Sequence, residues 1–141
     1  MNMSDIVDIA VSGLRAQRTR MTVTASNIAN AQTTRTAEGG PYRRRDPVFQ
    51  ADRLGSPFAS ALQRRLRAVS VTRIQEDGRE PMTRYLPSHP DANEDGYVAF
   101  PNVNLVEEQA NLVGSSRAFE ANLLVMQKVR SMAEALMRVG Q

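Results

Sequence analysis

From Asn104 to Val139 the chain runs without a proline and with one glycine, Gly114. Helices of globular domains usually span about 10–14 residues, so this stretch is long for any small fold. Leu105, Leu112, Phe119, Met126 and Ala133 recur at every seventh position, with Val129 and Leu136 on the intervening ones. That three-and-four spacing is a coiled-coil seam. Pro101 and Asn102 stop whatever precedes it, and Asn104 is placed to cap the first turn. Glu107 and Glu108 fall at the positive end of the helix dipole, and Arg130, Arg138 and Gly140 near the other end. At about 1.5 Å per residue the rod is on the order of 54 Å long. A chain of 141 residues has too little of itself to cover so long a seam, so the seam calls for partners. Glu108, Ser115 and Asn122 are polar positions within it, the kind that weaken a coiled coil while fixing register. The run Gly114-Ser115-Ser116-Arg117-Ala118 is rich in small residues and admits a close neighbour. A long helix of an ordinary bundle is the plainer alternative.

A second amphipathic stretch spans Ser4 to Asn30, with Ser4 or Asp5 as its cap. Val7, Ala10, Leu14, Met21 and Ile28 fall at heptad spacing, interrupted by Gln17 and Thr24, and Arg15, Arg18 and Arg20 lie opposite. Gly13 and the threonines at 19, 22 and 24 make it a weak helix in isolation. It needs packing, and the C-terminal helix is the obvious partner. It ends Ala25-Ser26-Asn27-Ile28-Ala29-Asn30-Ala31, whose short polar side chains suit bonds to neighbouring backbone at a junction; a frayed terminus is the alternative.

Between the helices the pattern changes. Glu38-Gly39-Gly40-Pro41 is a turn. Tyr42 to Gln50 reads as extended, with Pro47 favouring an edge or bulge. Leu54 to Leu62 reads as a loop. Arg67 to Glu76 is the clearest strand, Val69 and Val71 alternating with polar residues before Ile74 shifts phase. Asp77-Gly78 is a turn, and Met82–Leu86 and Tyr97–Phe100 are short strands. The expected class is α+β. An N-terminal axial helix occupies 1–33, a β-rich outer region 34–101 with a loop near 52–66, and a C-terminal axial helix 102–141.

Composition narrows the function classes. The net charge is only +3, and all but one of the 18 basic residues are arginine, which favours paired contacts over solvation. Arg43-Arg44-Arg45 with Arg64, Arg65 and Arg67 suggest phosphate contacts, but stacking aromatics are few and no nucleic-acid motif accompanies them. An arginine face turned to solvent or to an interface is the better reading, so nucleic acid is not an expected partner. Without cysteine there is no disulfide framework, thiolate zinc site or cysteine nucleophile. Asp91, Asn93, Asp95 and Gly96 match the opening of a calcium loop, but its twelfth position is Asn102 where a bidentate glutamate is required. A polar turn fits better. His89, the sole histidine, sits between Ser88 and Pro90 with no nucleophile motif near it. We therefore expect no enzyme, cofactor or metal. No run approaches the ~18 apolar residues of a membrane span, and the first residues lack a secretory signal pattern. The chain is expected to remain in the cytoplasm or to leave uncleaved.

The heptads, the junction sequence and the insert together resemble one family. Ala25-Ser26-Asn27-Ile28-Ala29-Asn30-Ala31 is similar to the signature of the flagellar rod, hook and axial proteins. Pro41-Tyr42-Arg43-Arg44, Val48-Phe49-Gln50 and His89-Pro90-Asp91-Ala92 follow in the family's order. So do Gly96-Tyr97-Val98, Pro101-Asn102-Val103 and Ser116-Arg117-Ala118-Phe119-Glu120-Ala121-Asn122. The likeness covers essentially the whole chain and is weakest over 52–66. It implies paired terminal helices forming the inner layer of a tubular assembly, and a structural subunit of the proximal rod that transmits torque from rotor to hook. Implied partners are further copies, other proximal rod proteins, the rod–export-gate adaptor, the distal rod protein and the flagellar type III export apparatus. The implied location is the periplasm-spanning basal body, reached without signal cleavage. The expected assembly residues are Val7, Leu14, Met21, Ala25, Ser26, Asn27, Ile28, Ala29 and Asn30 on the first helix. On the second they are Leu105, Leu112, Ser116, Arg117, Phe119, Glu120, Asn122, Met126, Val129 and Leu136. The family often carries tyrosine at Phe119 and methionine near Gln109, so contacts there differ. A cytoplasmic coiled-coil adaptor or chaperone is the competing class; it accounts for the helices but not for the insert.

Overall fold

The computed structural model describes residues 3–53 and 66–139. Six elements follow in order: α1 (Met3–Ala29), β1 (Arg45–Arg53), β2 (Arg67–Glu76), β3 (Met82–Tyr85), β4 (Tyr97–Phe100) and α2 (Leu105–Val139). The architecture is α+β: two long terminal helices enclose a small β insert. The loop expected from Leu54 to Leu62 lies outside the described residues, while Asp52 and Arg53, expected to belong to that loop region, close β1.

The helix ends follow from local chemistry. Asn104 Oδ1 accepts the backbone N–H of Val106 at 3.1 Å and of Glu107 at 3.4 Å, which is an N-cap. At the other terminus Met3 is already helical, so Ser4 and Asp5 lie inside the first turn of α1 and do not cap it. There Asp5 meets the positive end of the dipole. α1 stops where Asn30 turns back on it: both its backbone N–H and its Nδ2 bond to the carbonyl of Ser26.

The helices run antiparallel. Asn27 meets Glu108, Gly13 meets Asn122, and Val7 and Val129 line one groove. Gly13 has a packing reason: a Cβ there would stand 2.9 Å from Asn122 Nδ2. On α2 the side chains turned toward α1 step by four and three, as Glu108, Leu112, Ser115, Phe119, Asn122, Met126, Val129 and Ala133, all buried or half-buried. The heptad read from the sequence is therefore the seam inside the subunit, except at its ends. Leu105 is 41% and Leu136 is 66% exposed. α2, at 35 residues, outruns the 27 of α1, so Leu136 lies beyond the reach of its partner.

The insert is two separate antiparallel hairpins, β1–β2 and β3–β4. In the first, Val48 pairs with Arg73 but Phe49 with Val71, leaving Thr72 as the extra residue of a bulge. The Thr72 hydroxyl donates to the Val48 carbonyl at 3.0 Å. That bulge is why the apolar phase breaks between Val71 and Ile74. The alternation at Val69 and Val71 does not mark a buried face, however: Val71 is half-buried but Val69 is 38% exposed. The cause is the way the hairpin meets α1. The backbone N–H of Val69 donates to Ser12 Oγ at 3.1 Å, so strand backbone as well as side chains faces the helix. α1 thus packs on two sides, against α2 and, through Ser12, Ala16 and Val23, against the first hairpin.

In the second hairpin Gly96 turns the chain with φ +79°, and a Cβ there would stand 2.9 Å from Tyr85 Cε2 and 3.2 Å from Pro87 Cβ. Gly96→Ala is expected to lower stability by about 1–2 kcal/mol from the left-handed backbone alone, with the contact on Pro87 adding to it. Urea unfolding followed by circular dichroism measures it; an unchanged midpoint would show that the turn relaxes freely.

Candidate assembly interface

The expected assembly residues divide into three groups. The first is consumed inside the subunit. Val129 is 5% exposed, and Val7, Leu14, Met21, Ile28, Leu112, Phe119, Met126 and Asn122 are half-buried. Ser26, Asn30 and Ser116 are also half-buried. Asn27 is the extreme case at 1%. The second group faces solvent: Ala25, Ala29, Arg117 and Glu120. The third, Leu105 and Leu136, is apolar and exposed.

Asn27 sits in a polar cluster that joins three parts of the chain. Its Nδ2 donates to the Arg45 carbonyl at 2.8 Å and to Glu108 Oε2 at 2.9 Å. Its Oδ1 accepts from the Arg45 N–H and the Tyr42 hydroxyl, each at 2.9 Å. Glu108, also 1% exposed, takes Arg44 Nε and Nη2 on Oε1, both at 2.7 Å. Arg44 reaches on through Nη1 to Asp46. Burial pulls the Arg44 pKa down, but hydrogen bonds to Asp46 and Glu108 outweigh it, so the guanidinium is held above its ordinary value. The end of α1, the segment entering β1 and the first turn of α2 are thereby pinned at one point. In a chain whose buried apolar side chains are mostly alanine and valine, this clamp carries much of the fold's definition.

Sequence reasoning marked Asn27 as a junction residue and Glu108 as a polar seam position. It did not join them to Arg44 or Tyr42. The available signal was physical: a carboxylate inside an apolar seam needs a cation, and the arginine run after Tyr42 supplies one.

A second clamp ties the β3–β4 region to the segment after α1. Asp91 accepts the Thr34 hydroxyl at 2.7 Å and pairs with Arg35 at 3.4 Å. His89 Nδ1 accepts the backbone N–H of Asp91 at 3.1 Å, and Asn93 Oδ1 accepts those of Asp95 and Tyr97. These side chains close turns. Among the described residues no group of three His, Cys, Asp or Glu side chains gathers to hold a metal, and no helix is long and apolar enough to cross a membrane.

One seam position is left unmatched. Among the described residues, Gln17 Oε1 is buried without a hydrogen-bond partner. An unmet buried acceptor costs about 1–3 kcal/mol. Gln17→Met, of similar shape, is expected to raise stability by about 1 kcal/mol. A melting temperature at or below that of the parent chain would count against it.

Among the described residues, exposed large apolar side chains concentrate on α2. Val106, Val113, Leu124, Met132, Leu136 and Met137 are each more than half exposed, from 52% to 75%. A groove of about 410 Å³ opens between the start of α1 and the second half of α2, lined by Met3, Val7, Met126 and Val129. Scattered exposed apolar residues are ordinary, but Val106, Val113 and Leu124 fall on one side of α2 and mark a candidate interaction surface there, with Leu136 exposed at the overhanging end of the seam.

Comparison with known proteins gives this surface a setting. Residues 8–35 match the family described as flagella basal body rod protein, and residues 94–139 the family described as flagellar basal body rod FlgEFG protein C-terminal. The flagellar basal-body rod protein FlgC of Borreliella burgdorferi is 38% identical over 152 residues, spanning 100% of this chain and 99% of that protein. FlgC of Salmonella typhimurium is 37% identical over the whole of both chains. FlgC of Bacillus subtilis is 36% identical over 96% of each.

Proposed function

The chain belongs to the family of flagellar basal-body rod proteins named FlgC, and from that premise we propose that it is a structural subunit of the rod, working by assembly and without chemistry. The observation that carries this is the end-to-end likeness: both helices and the insert between them match together, over 100% of the chain. The exposed side of α2 supports it, since an axial subunit needs apolar surface left over after its own helices have paired.

Each subunit docks its uncovered α2 side chains against neighbours. Burial returns roughly 25 cal/mol per Å² of apolar area, set against the entropy of ordering the contacts. A contact of one surface with a different surface, with a rotation that does not close a ring, generates a helical tube. The clamp of Asn27, Arg44 and Glu108 gives the tube torsional stiffness, because twist applied to the insert passes straight to both helices. Torque transmission from rotor to hook follows from that rigidity. The neighbours are further copies, other proximal rod proteins, the rod–export-gate adaptor and the distal rod protein. The subunit reaches its periplasm-spanning position through the type III export apparatus without signal cleavage. No observation favours a cytoplasmic coiled-coil adaptor.

Deleting the gene in its own bacterium tests this. Basal bodies viewed by electron microscopy are expected to keep membrane rings but lack a complete rod, hook and filament, and cells are expected not to swim. Intact, rotating flagella in the deletion strain would overturn the reading.

A further inference from the structure

Four of the described glycines have a reason inside the subunit: Gly39, Gly40 and Gly96 have positive φ, and Gly13 faces Asn122. Gly78 has open space and an ordinary φ but lies outside helix and strand, where glycine costs little. Gly114 lies in the middle of α2, where glycine is costlier than alanine. A Cβ there would meet nothing within 4 Å. Nothing within the fold compensates the cost.

Gly114 lines a hollow of about 330 Å³ together with Ala110, Ser115, Arg20 and Asp46. Thr24 lines the same hollow. It is 4% exposed, and among the described residues its hydroxyl has no hydrogen-bond partner. Gln17 Oε1 is the one fully enclosed unpaired atom among the described residues, so the Thr24 hydroxyl keeps an open edge and is free to bond a group that enters the hollow. The lining carries opposite charges. The Arg20 guanidinium lies 4.4 Å over the Phe49 ring, and the Asp46 side chain, engaged by Arg44, is still 61% exposed.

The complementary surface is on the same chain. Val113, Arg117, Glu120 and Leu124 step by four, three and four along α2 and are all exposed. Among the described residues neither Arg117 nor Glu120 has a hydrogen bond or ion pair. We infer that the hollow around Gly114 receives the Val113–Leu124 stripe of a second copy. Arg117 of that stripe meets Asp46, Glu120 meets Arg20, and Gly114 lets the two helices approach closely. The stripe and the hollow are different surfaces, so the contact is heterologous, and with a rotation that does not close a ring it repeats as a helix. The inference deepens the rod-subunit reading and rests on it.

The test complements the deletion strain with variants and scores complete rods by electron microscopy, while circular dichroism of each purified chain checks folding. Gly114→Leu is expected to fold and melt no lower than the parent, because the site is open and leucine is the better helix former, yet to build no rods. Arg20→Glu and Glu120→Arg are each expected to lower the rod count roughly tenfold, and the two together in one chain to restore it. Because the chain has no cysteine, Gly114→Cys and Glu120→Cys copies produced together are expected to cross-link to each other. Normal rods from Gly114→Leu, a charge swap that restores nothing, or cross-links found only to a different rod protein would each overturn the inference. These failures are distinct from failure of the rod reading, in which the parent chain itself is dispensable for the rod.

Discussion

Replacing Glu108 with leucine is expected to destabilise the folded subunit by about 3–5 kcal/mol, the usual cost of stripping one partner from a buried ion pair. The magnitude follows from what is left behind. Arg44 stays 8% exposed with its Nε and one Nη unsatisfied, and Asn27, at 1%, loses the acceptor for one Nδ2 hydrogen. Whole-domain stabilities are about 5–15 kcal/mol, so the variant is expected to be largely unfolded in moderate urea where the parent is folded. Changing Arg44 and Glu108 together to methionine and leucine is expected to recover a substantial part, since a pair replaced by apolar groups leaves no bare charge. A double-mutant cycle by denaturant unfolding reads the coupling directly. A Glu108→Leu loss below about 1 kcal/mol would mean that water reaches the pair and that the clamp contributes little.

That clamp also marks where the sequence stops being legible. Local chemistry came through well: the Asn104 cap, the bounds of β2 and β4, and even the phase break before Ile74, which is the bulge at Thr72. Asp77-Gly78 is irregular rather than a turn, with a bend at Arg79 whose N–H bonds Asp77 Oδ1. Periodicity found both helices and the face on which they pair, because a spacing of three and four is a statement about one helix face; it did not give their antiparallel direction. Pairings across 64 and 81 positions, Arg44 with Glu108 and Asn27 with Glu108, leave no local pattern. For the same reason the second face of α1 was not foreseen. Ala16 and Val23 are ordinary helix residues until a hairpin is brought against them. Nor does periodicity say how much of a seam the subunit itself will cover, which depends on the helices having unequal lengths. Leu112, Phe119 and Leu136 read alike in the sequence, yet the first two are half-buried and the third is 66% exposed.

This difference decides which substitution tests assembly cleanly. Phe119→Asp or Ile28→Asp places a charge in the half-buried seam between α1 and α2, so loss of rods there mixes folding with docking. Leu136→Asp does not. It lies past the end of α1, and a surface change of this kind alters subunit stability by no more than about 0.5 kcal/mol. If Leu136 is buried against a neighbour, the same substitution removes that burial and sets a carboxylate in apolar surroundings. Repeated at every subunit contact, such a penalty multiplies, and a polymer is far less tolerant of it than a single complex. Leu136→Asp is therefore expected to leave the melting curve of the purified chain unchanged and to abolish swimming and complete rods in a complemented deletion strain. Leu136→Met, which preserves apolar volume, is expected to swim normally. Parent-like motility in Leu136→Asp would show that the overhanging end of α2 stays in solvent in the assembled rod, and would move the docking surface toward the middle of the helix.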